Sequence, residues 1–507
     1  MVIDALKYQI LQQFGFVPTE EQGQALDAFA RFLTDRDPHA VMILRGSAGT
    51  GKTSLSGAIV RTLKAIRQKV MLLAPTGRAA KVFSLNSGCP AYTIHRRIYR
   101  EKSFAGVDGQ FNLNDNLFTD TLFMVDEASM ISNLGLGGGN FGSGCLLDDL
   151  VRFVYQGHND RLMLIGDKAQ LPPVGEEESP ALNRMMLEGY GLKVYECDLN
   201  EVLRQSQESG ILYNATVIRQ MITHDDITQL PLIRFKGFAD IVMMPGNELV
   251  ESLANSYYRV GQDETMVITR SNKRANIYNN GIRNMVLDRE DELSCGDMLM
   301  IVKNNYFWTE KERNEVMEVK DEERRVKNSN ANLETQHSTF NIQHSEIPPF
   351  LANGDRAKVL RVSRHMELYG FRFATLLLQF PDYDNYEMSA TALLDTLQSE
   401  APALTHEQQE QLFQGVEEDY QDVPLKADRM KAIRGDQYFN ALQVKYAYAI
   451  TCHKAQGGQW EHVYVDQGYM TDDMLTPDYI HWLYTAFTRA KDKLFLVNWP
   501  KTQTEIL

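Results

Sequence analysis

Residues 46–53 read GSAGTGKT, a glycine-rich run that fits the pattern G-x-x-x-x-G-K-[ST]. An apolar segment at residues 41–44 precedes this run, and a helix-like segment at residues 53–66 follows it. A strand, such a loop and a helix in this order predict the start of a doubly wound α/β sheet with a polyphosphate site at the loop. The alternative is an ordinary glycine-rich turn before a helix, which the flanking strand and helix disfavour.

The chemistry of this loop explains why phosphates need these residue types. Backbone N–H groups of residues 49–52 lie at the positive end of the following helix and can cradle anionic oxygens. We expect Lys52 to reach the β- and γ-phosphates, and the Thr53 hydroxyl to bind Mg²⁺. The predicted nucleotide-binding residues of the loop are Gly46, Ser47, Ala48, Gly49, Thr50, Gly51, Lys52 and Thr53.

Composition places the chain among ordinary globular proteins. Its 507 residues are 43% apolar and 23% charged, and this length suggests about three or four domains. The five cysteines are far apart and form no C-x-x-C pair, so neither a zinc site nor a disulfide framework is indicated. The first residues lack the features of a signal peptide, and no apolar stretch is long enough to cross a bilayer. The expected location is therefore cytoplasmic.

The formal net charge of −15 argues at first against a nucleic-acid partner, but the charge is unevenly spread. Residues 38–100 contain eleven Lys or Arg and no acid, whereas residues 373–425 contain eleven acids and no Lys or Arg. A basic stretch around the phosphate loop indicates a polyanionic partner. The alternative is a solvated helix face together with the nucleotide site itself.

Two further apolar segments end in polar residues suited to phosphate chemistry. In LFMVDEAS at residues 122–129, Asp126 is expected to hold Mg²⁺ and Glu127 to orient and deprotonate the attacking water. In LIGDKAQLPPVG at residues 164–175, Gln170 is expected to contact the γ-phosphate or water. Acids after a strand are common, and Gln170 could equally be an exposed residue of a proline-braced turn.

The remaining apolar segments predict a second α/β core with a large insertion. Strands are expected in the first core at residues 41–44, 70–74, 122–125 and 162–165, and in the second at residues 266–269, 446–450, 462–465 and 493–497. Residues 355–380 alternate in the manner of a small β-barrel, and the acidic, Gln-rich residues 390–422 read as helical. Residues 135–144 read as a flexible glycine-rich loop without an assigned function.

Seven motifs occur in the order found in superfamily 1B helicases, and the chain resembles the RecD/Dda branch from about residue 18 to 499. The motifs are GSAGTGKT, LAPTGRAAKVF, VDEASM, IGDKAQLPPVG, LNEVLRQ, AITCHKAQGGQW and YTAFTRAK. The resemblance implies two RecA-like P-loop cores, with a pin-like hairpin in the first and an SH3-like β-barrel in the second. The implied boundaries are residues 1–93 and 122–197 for the first core, 94–121 for the pin, 198–290 and 441–507 for the second core, and 291–440 for the barrel with an acidic helical extension.

The resemblance also implies an activity. The expected protein is a monomeric DNA helicase that uses ATP and Mg²⁺, translocates 5′ to 3′ on single-stranded DNA and unwinds duplex at junctions. Such proteins act in DNA repair, recombination or replication. The polarity rests on the resemblance alone, because no residue spacing establishes it.

Single residues around the nucleotide acquire roles from the same resemblance. Gln22 in PTEEQGQA matches a glutamine that reads adenine, and Gly457 matches a backbone N–H donor to the γ-phosphate. Arg204 and Arg489 match two arginines that reach across the cleft to neutralise the γ-phosphate. With Lys52, Asp126, Glu127 and Gln170, these arginines form the implied catalytic set. Leu203 stands where many relatives carry an aromatic residue and Gln459 where they often carry Glu, so base selectivity is expected to be weak.

The implied DNA path involves hydroxyls, amides and cations from both cores, and an aromatic hairpin at the fork. Asp108-Gly109 predicts the turn of that hairpin, between runs that carry Phe104 and Phe111. The alternative is an ordinary surface hairpin, and the two path histidines could equally be structural. The matched positions are Pro75, Thr76, Arg78, His95, Phe104, Phe111, Thr451, His453 and Lys454.

Two rival functions stay open from the residues alone. One is a motor of related design that acts on RNA or ribonucleoprotein. The other is a P-loop ATPase switch without unwinding, which binds a protein partner through the acidic segment 390–422. That segment could also be an inert, solvated helix pair.

Overall fold

The structure is a computed structural model that describes residues 2–104, 109–135, 142–201, 208–224, 228–317, 347–348 and 350–505. The chain divides into two compact units, Met1–Tyr278 with Ala449–Leu507, and Asn279–Tyr448. The first unit contains two parallel sheets of RecA-like type, and the second contains a closed barrel. The fold is therefore α/β, as predicted. None of the helices in the described ranges is long and apolar enough to cross a bilayer.

The secondary-structure elements alternate in the first unit and are mainly strands in the second. The strands are β1 Ala40–Gly46, β2 Lys69–Ala74, β3 Ala91–Thr93, β4 Tyr99–Phe104, β5 Gly109–Leu113, β6 Thr121–Val125, β7 Arg161–Gly166, β8 Lys193–Leu199, β9 Ile241–Met244, β10 Thr265–Thr269, β11 Met298–Ile301, β12 Arg356–Leu368, β13 Phe371–Phe380, β14 Tyr386–Leu393, β15 Leu442–Tyr446, β16 Ala449–Thr451, β17 Trp460–Asp466 and β18 Ala490–Val497. The helices are α1 Val2–Phe14, α2 Glu20–Leu33, α3 Lys52–Ala65, α4 Gly77–Ser87, α5 Ile94–Ile98, α6 Leu146–Gln156, α7 Arg184–Gly189, α8 Gly210–Thr223, α9 Leu249–Arg259, α10 Asn272–Gly281, α11 at residues 307–317, α12 His406–Asp419, α13 Lys426–Arg434, α14 Cys452–Ala455 and α15 Pro477–Phe487.

The first sheet has six parallel strands in the order β3-β2-β6-β7-β1-β8. Its central strands β1, β6 and β7 are buried along their whole length, because helices cover both faces. The carboxyl ends of these neighbouring strands carry the phosphate loop, Asp126 and Asp167. Strand β8 ends at Leu199, so the first sheet extends two residues beyond the predicted limit of residue 197.

The second sheet has five parallel strands in the order β16-β10-β17-β18-β9. Strands β9 and β10 precede the second unit in the chain, and β16 to β18 follow it. The strand predicted at residues 446–450 is only partly right, because β16 spans Ala449–Thr451 and Tyr446 ends β15 of the barrel. The apolar run at residues 446–450 crosses the break between the two strands, so the sequence pattern does not reveal it.

The second unit is built on a closed barrel of strands β11-β12-β13-β14-β15. Four of its pairings are antiparallel, and β14 pairs with β15 in parallel. Since β15 closes the barrel, the predicted boundary at residue 440 is wrong: Leu442–Tyr446 belong to the barrel and not to the second core. Gln443 and Lys445 interrupt the apolar residues of this buried strand, so no continuous apolar run marked it in the sequence.

The acidic segment 390–422 is not helical throughout, as the sequence pattern suggested. Its first residues, 390–393, belong to β14, where they pair with β13 inside the barrel wall. The helix α12 begins only at His406, after a capping box between Thr405 and Gln408. Its apolar side packs against the barrel, while most of its acids face solvent.

A buried ion network lies where the chain enters and leaves the second unit. The fully buried Asp297 carboxylate accepts two bonds of 3.0 Å from Arg283 and one of 2.8 Å from Arg289. The Ser294 N–H at 2.7 Å and the Tyr448 hydroxyl at 2.8 Å complete its shell. One carboxylate therefore joins the five-residue π-helix Ile282–Val286 to Tyr448, which lies between β15 and β16.

A two-stranded hairpin, β4 with β5, projects from the first core after α5. The Gly142 N–H donates a 2.7 Å hydrogen bond to the Phe111 carbonyl on β5. Gly142 has φ +47°, and the Asp149 carboxylate lies where a side chain at this position would stand. The end of the glycine-rich loop at residues 135–144 therefore holds the base of the hairpin, a role that the sequence did not suggest.

Candidate nucleotide site and nucleic-acid path

The phosphate loop is a tight turn between the buried strand β1 and the first turn of α3. Gly49 and Gly51 have φ of +78° and +80°, which side chains disfavour. A Cβ at Gly46 would lie 2.8 Å from the Lys52 Cγ, so only glycine fits there. The Lys52 ammonium donates to the carbonyls of Gly46 and Ser47, which places the cation inside the loop. Thr53 is exposed at the start of the helix.

Gln22 supports the loop instead of standing free beside it. Its side-chain N–H donates a 2.9 Å bond to the Thr50 carbonyl, and its carbonyl accepts a 3.0 Å bond from the Thr19 N–H. The Thr19 hydroxyl in turn caps the start of α2, which completes a capping box. The side chain is 1% exposed. These contacts give Gln22 a structural role that does not require a bound adenine. The adenine contact remains a prediction.

Asp126 and Glu127 follow β6, at the same edge of the sheet as the loop. Burial, assisted by the neighbouring Glu127 carboxylate, raises the pKa of the Asp126 carboxyl to about 7, and Lys52 opposes the shift. The Glu127 N–H donates a 2.9 Å bond to Asp126 Oδ1. Glu127 itself has φ +52°, an unusual conformation for a residue with a side chain.

These groups fit a magnesium ion. Carboxylate and hydroxyl oxygens are the donors that Mg²⁺ prefers, and it usually keeps several waters, so two protein ligands are enough. A bound cation would also stabilise the charged form of this buried carboxylate, which burial otherwise disfavours. Asp126 and Thr53 would hold the ion. Over the described ranges, no group of three or more His, Cys, Asp or Glu is arranged to bind a metal.

A hydrogen-bonded bridge connects the loop to the second core. The Ala48 N–H donates a 3.0 Å bond to the Tyr484 hydroxyl, which donates a 2.7 Å bond to Asp167 Oδ2. Burial and the Asp167 charge raise the pKa of Tyr484 well above its usual value, so this hydroxyl stays protonated. Asp167 and Tyr484 lie within the quoted motifs IGDKAQLPPVG and YTAFTRAK, but neither was predicted as a site residue.

The loop after β7 is held by several side chains of the second core. The Leu171 N–H donates a 2.8 Å bond to the Thr485 hydroxyl, and the Leu171 carbonyl accepts a 2.7 Å bond from Gln456. His481 Nδ1 lies 3.0 Å from the Ala169 carbonyl. Gln170 lies between these contacts, and its buried Oε1 has no hydrogen-bond partner in the described part of the chain. A buried side-chain oxygen without a protein donor suits the predicted contact with water.

Arg489 is buried and bonds to its own core. Its guanidinium donates to the Thr485 carbonyl at 3.0 Å, the Gly458 carbonyl at 3.2 Å and the Thr488 hydroxyl at 3.0 Å. It therefore fixes the segment that contains Gly457, whose φ is +72°. A Cβ at Gly457 would lie 3.1 Å from both Ala79 Cβ and the Thr76 hydroxyl. Arg204 lies outside the described residues.

Arg78 also spans the two cores. Its guanidinium stacks 4.3 Å from the Trp460 ring centroid and donates a 2.7 Å bond to the Gln459 carbonyl. Thr76 caps α4 through a 3.2 Å bond from the Ala79 N–H. These contacts place two predicted DNA residues of the first core beside the Gly457–Trp460 region of the second. Contact of Arg78 with DNA therefore requires the cation to share or leave these partners.

The other predicted DNA residues lie on four separate segments. Pro75 follows β2, and Thr451, His453 and Lys454 lie at β16 and α14; burial lowers the pKa of the Lys454 ammonium. His95 lies on α5, where burial lowers its pKa to about 4, which indicates a neutral imidazole. The half-buried Phe111 ring packs against the first core, which argues against its bracing a fork. Phe104 lies in β4, but its side chain lies outside the described part of the structure.

Two family models match the chain. The model described as an AAA domain matches residues 19–228, and the model described as a UvrD-like helicase C-terminal domain matches residues 446–497. Solved structures of Pif1 helicases are also similar to the chain. The Bacteroides protein in complex with ADP-AlF3 and ssDNA is 13% identical with a TM-score of 0.45, covering 97% of this chain and 95% of that one. The Candida albicans protein is 16% identical with a TM-score of 0.37, covering 96% and 97%.

Curated relatives match either a part of the chain or most of it. The ATP-dependent RecD2 DNA helicase of Deinococcus radiodurans is 31% identical over 157 residues, which are 31% of this chain and 18% of the relative. An uncharacterised protein of Methanocaldococcus jannaschii is 33% identical over 171 residues, 31% of this chain and 14% of the relative. The chain thus spans less than a fifth of each of these two proteins. An uncharacterised protein of Acanthamoeba polyphaga mimivirus is 22% identical, covering 91% of this chain and 96% of the relative.

A phosphate loop on one parallel sheet, bridged by side chains to a second parallel sheet, defines a P-loop protein of the two-core helicase class. The first matched model covers the first core and continues through α8, and the second covers strands β16 to β18 of the second core. The two matched models, together with the 31% identity to the RecD2 DNA helicase over 157 residues, support a superfamily 1B helicase of the RecD-like branch. This finding confirms the resemblance given by the sequence motifs.

Proposed function

We propose that this chain is an ATP-dependent DNA helicase that translocates 5′ to 3′ on single-stranded DNA as a monomer and separates duplexes at junctions. The observation that carries the proposal is the bridge from Ala48 through Tyr484 to Asp167, because it connects the phosphate loop directly to the second core. A change at the nucleotide therefore changes contacts between the cores. The similarity to the ATP-dependent RecD2 DNA helicase of Deinococcus radiodurans supports the same function.

Hydrolysis in this proposal depends on positioning and charge. Water adds to the γ-phosphorus, the bond to the bridging oxygen breaks with its electron pair leaving on ADP, and Glu127 accepts the proton of the water. Lys52 lies inside the loop to neutralise the phosphates. Mg²⁺, held by Thr53 and Asp126, would screen phosphate charge when bound. Loss of the terminal phosphate removes the anion around which the cores close, and alternation between the two arrangements moves the strand.

The experiment that tests the function is the rate of ATP hydrolysis with single-stranded DNA, with RNA and without nucleic acid, at two salt concentrations. We expect DNA to stimulate the rate strongly and high salt to weaken the stimulation, because backbone contacts release counterions. Stronger stimulation by RNA would support an RNA motor instead. A rate that ignores both nucleic acids would support a partner-regulated switch and contradict the proposal.

Shortening the β4–β5 hairpin should abolish duplex unwinding while ATP hydrolysis is retained. Since Glu101 pairs with Phe111, replacing residues 102–110 by Asn-Gly leaves a two-residue turn and keeps the Phe111 contacts with the core. We expect loss of unwinding of a tailed duplex, while DNA-stimulated hydrolysis stays within about twofold, because the phosphate loop is untouched. Leu117→Ala, a change at a side chain that follows the hairpin and is 88% exposed, is the matched control. Undiminished unwinding by the shortened variant would rule out a role for the hairpin as a pin.

A further inference from the structure

Arg219 reaches the phosphate loop from the second core. It lies on α8, and its guanidinium donates a 2.6 Å bond to the Ser47 hydroxyl. Weaker contacts to Asn200, 3.5 Å to Oδ1 and 3.4 Å to the carbonyl, hold the same group. The resemblance did not single out this residue, because its motif assignments name Arg204 and Arg489. Arg219 is therefore a cation at the loop that has no assigned role.

The surroundings of Arg219 leave its charge available to an anion. It borders a cavity of about 390 Å³ together with Gly46, Ser47, Asp167 and Asn200. The hydrogen bonds of Arg219 are with neutral oxygens, and in the described ranges it forms no ion pair with a carboxylate. Among the other charged side chains that line the cavity, Arg45 pairs with Asp198 at 2.6 Å and Asp167 accepts from Tyr484, while Lys168, Glu177 and Glu178 complete the charged lining.

We propose that Arg219 is a further catalytic cation of the ATP site. When ATP is bound, its guanidinium releases the Ser47 hydroxyl and binds the terminal phosphate instead. The inference rests on the proposed function. Ser47 belongs to the part of the loop that precedes α3, whereas the helix end holds the inner phosphates. A guanidinium can donate two parallel bonds to a phosphate, which a hydroxyl partner cannot match. Because α8 belongs to the second core, this contact would favour closure with ATP over ADP.

The test uses Arg219→Ala and Arg219→Lys in the full chain, with Gln220→Ala as the matched control on the exposed neighbouring position. Three quantities are measured: kcat of DNA-stimulated ATP hydrolysis, affinity for ATPγS and affinity for ADP. For Arg219→Ala we expect kcat to fall about 100-fold. Arginines that contact a terminal phosphate raise kcat by roughly 10³–10⁵-fold in other enzymes. ATPγS affinity should fall about tenfold with ADP affinity unchanged, because a charge-assisted bond to the terminal phosphate is lost. Arg219→Lys should lie between, and Gln220→Ala should match the unmodified chain.

Two results would overturn the inference. Equal losses of ATPγS and ADP affinity would mean that Arg219 only braces Ser47, and a kcat close to that of the unmodified chain would exclude a catalytic role. Absence of hydrolysis by the unmodified chain would instead contradict the proposed function. In that case the ratio of ATPγS to ADP affinity still decides whether Arg219 contacts the terminal phosphate, so the two failures are distinguishable.

Discussion

Replacing Lys52 by alanine should lower DNA-stimulated ATP hydrolysis about 1000-fold, because the loop loses the cation that neutralises transferring phosphate charge. The Lys52 ammonium already lies inside the loop, bonded to the carbonyls of Gly46 and Ser47. Strand β1 and the glycine turns fix the loop without the lysine side chain, so the variant should fold. The measurement is steady-state hydrolysis with saturating single-stranded DNA, together with circular dichroism to confirm folding.

Lys64→Ala is the matched control for this variant. Lys64 lies on the same helix, exposed at its last turn, far along α3 from the loop. Its removal takes the same charge from the same element, so its hydrolysis rate should stay near that of the unmodified chain. Normal turnover by Lys52→Ala would refute the assignment of the phosphate site, whatever nucleic acid the protein binds.

Replacing Asp297 by alanine should lower the free energy of unfolding of the second unit by about 3–5 kcal/mol, because it leaves buried arginines without their carboxylate. Arg283 and Arg289 have side chains that are 4% and 16% exposed, so water cannot replace the lost partner fully. The Tyr448 hydroxyl and the Ser294 N–H lose their acceptor as well. Urea unfolding followed by circular dichroism, with limited proteolysis to locate the first segment that opens, is the measurement.

Asp291→Ala provides the control for the network. Asp291 is an exposed acid in the same segment, and only its backbone carbonyl contacts Arg283. Its removal should change stability by less than about 0.5 kcal/mol, as expected of an exposed surface change. If the urea midpoint of Asp297→Ala equals that of the unmodified chain, the buried network does not stabilise the second unit.

The sequence predicted the parts of the fold that depend on residues close together along the chain. Apolar runs gave the central strands β1, β6 and β7, because parallel strands buried on both faces are continuously apolar. It did not resolve β15 from β16, because the apolar run at residues 446–450 spans the end of the first strand and the start of the second, although the two belong to different sheets. Pairing partners decide between such strands, and sequence periodicity carries no information about partners.

The parts of the candidate site that are contiguous in sequence were predictable, and the contacts between distant residues were not. The loop and the two acids after β6 are contiguous motifs with a chemical reason for each residue. The bridge from Asp167 to Tyr484 joins residues 317 positions apart, and Arg219 meets Ser47 across 172 positions, so neither contact leaves a local pattern. Gln22 shows the converse: one side chain braces the loop at Thr50, although its motif suggested a ligand contact.

The place of the barrel in the chain has a consequence for protein synthesis. Strands β10 and β16 are neighbours in the second sheet, yet all of Asn279–Tyr448 is made between them. While the ribosome translates that segment, the edge of β10 has no partner and its apolar faces are uncovered, a state that favours misassembly. The first sheet, whose strands all precede residue 200, can form during this interval. The second sheet can be completed only after β18 has left the exit tunnel, and therefore later than the first sheet.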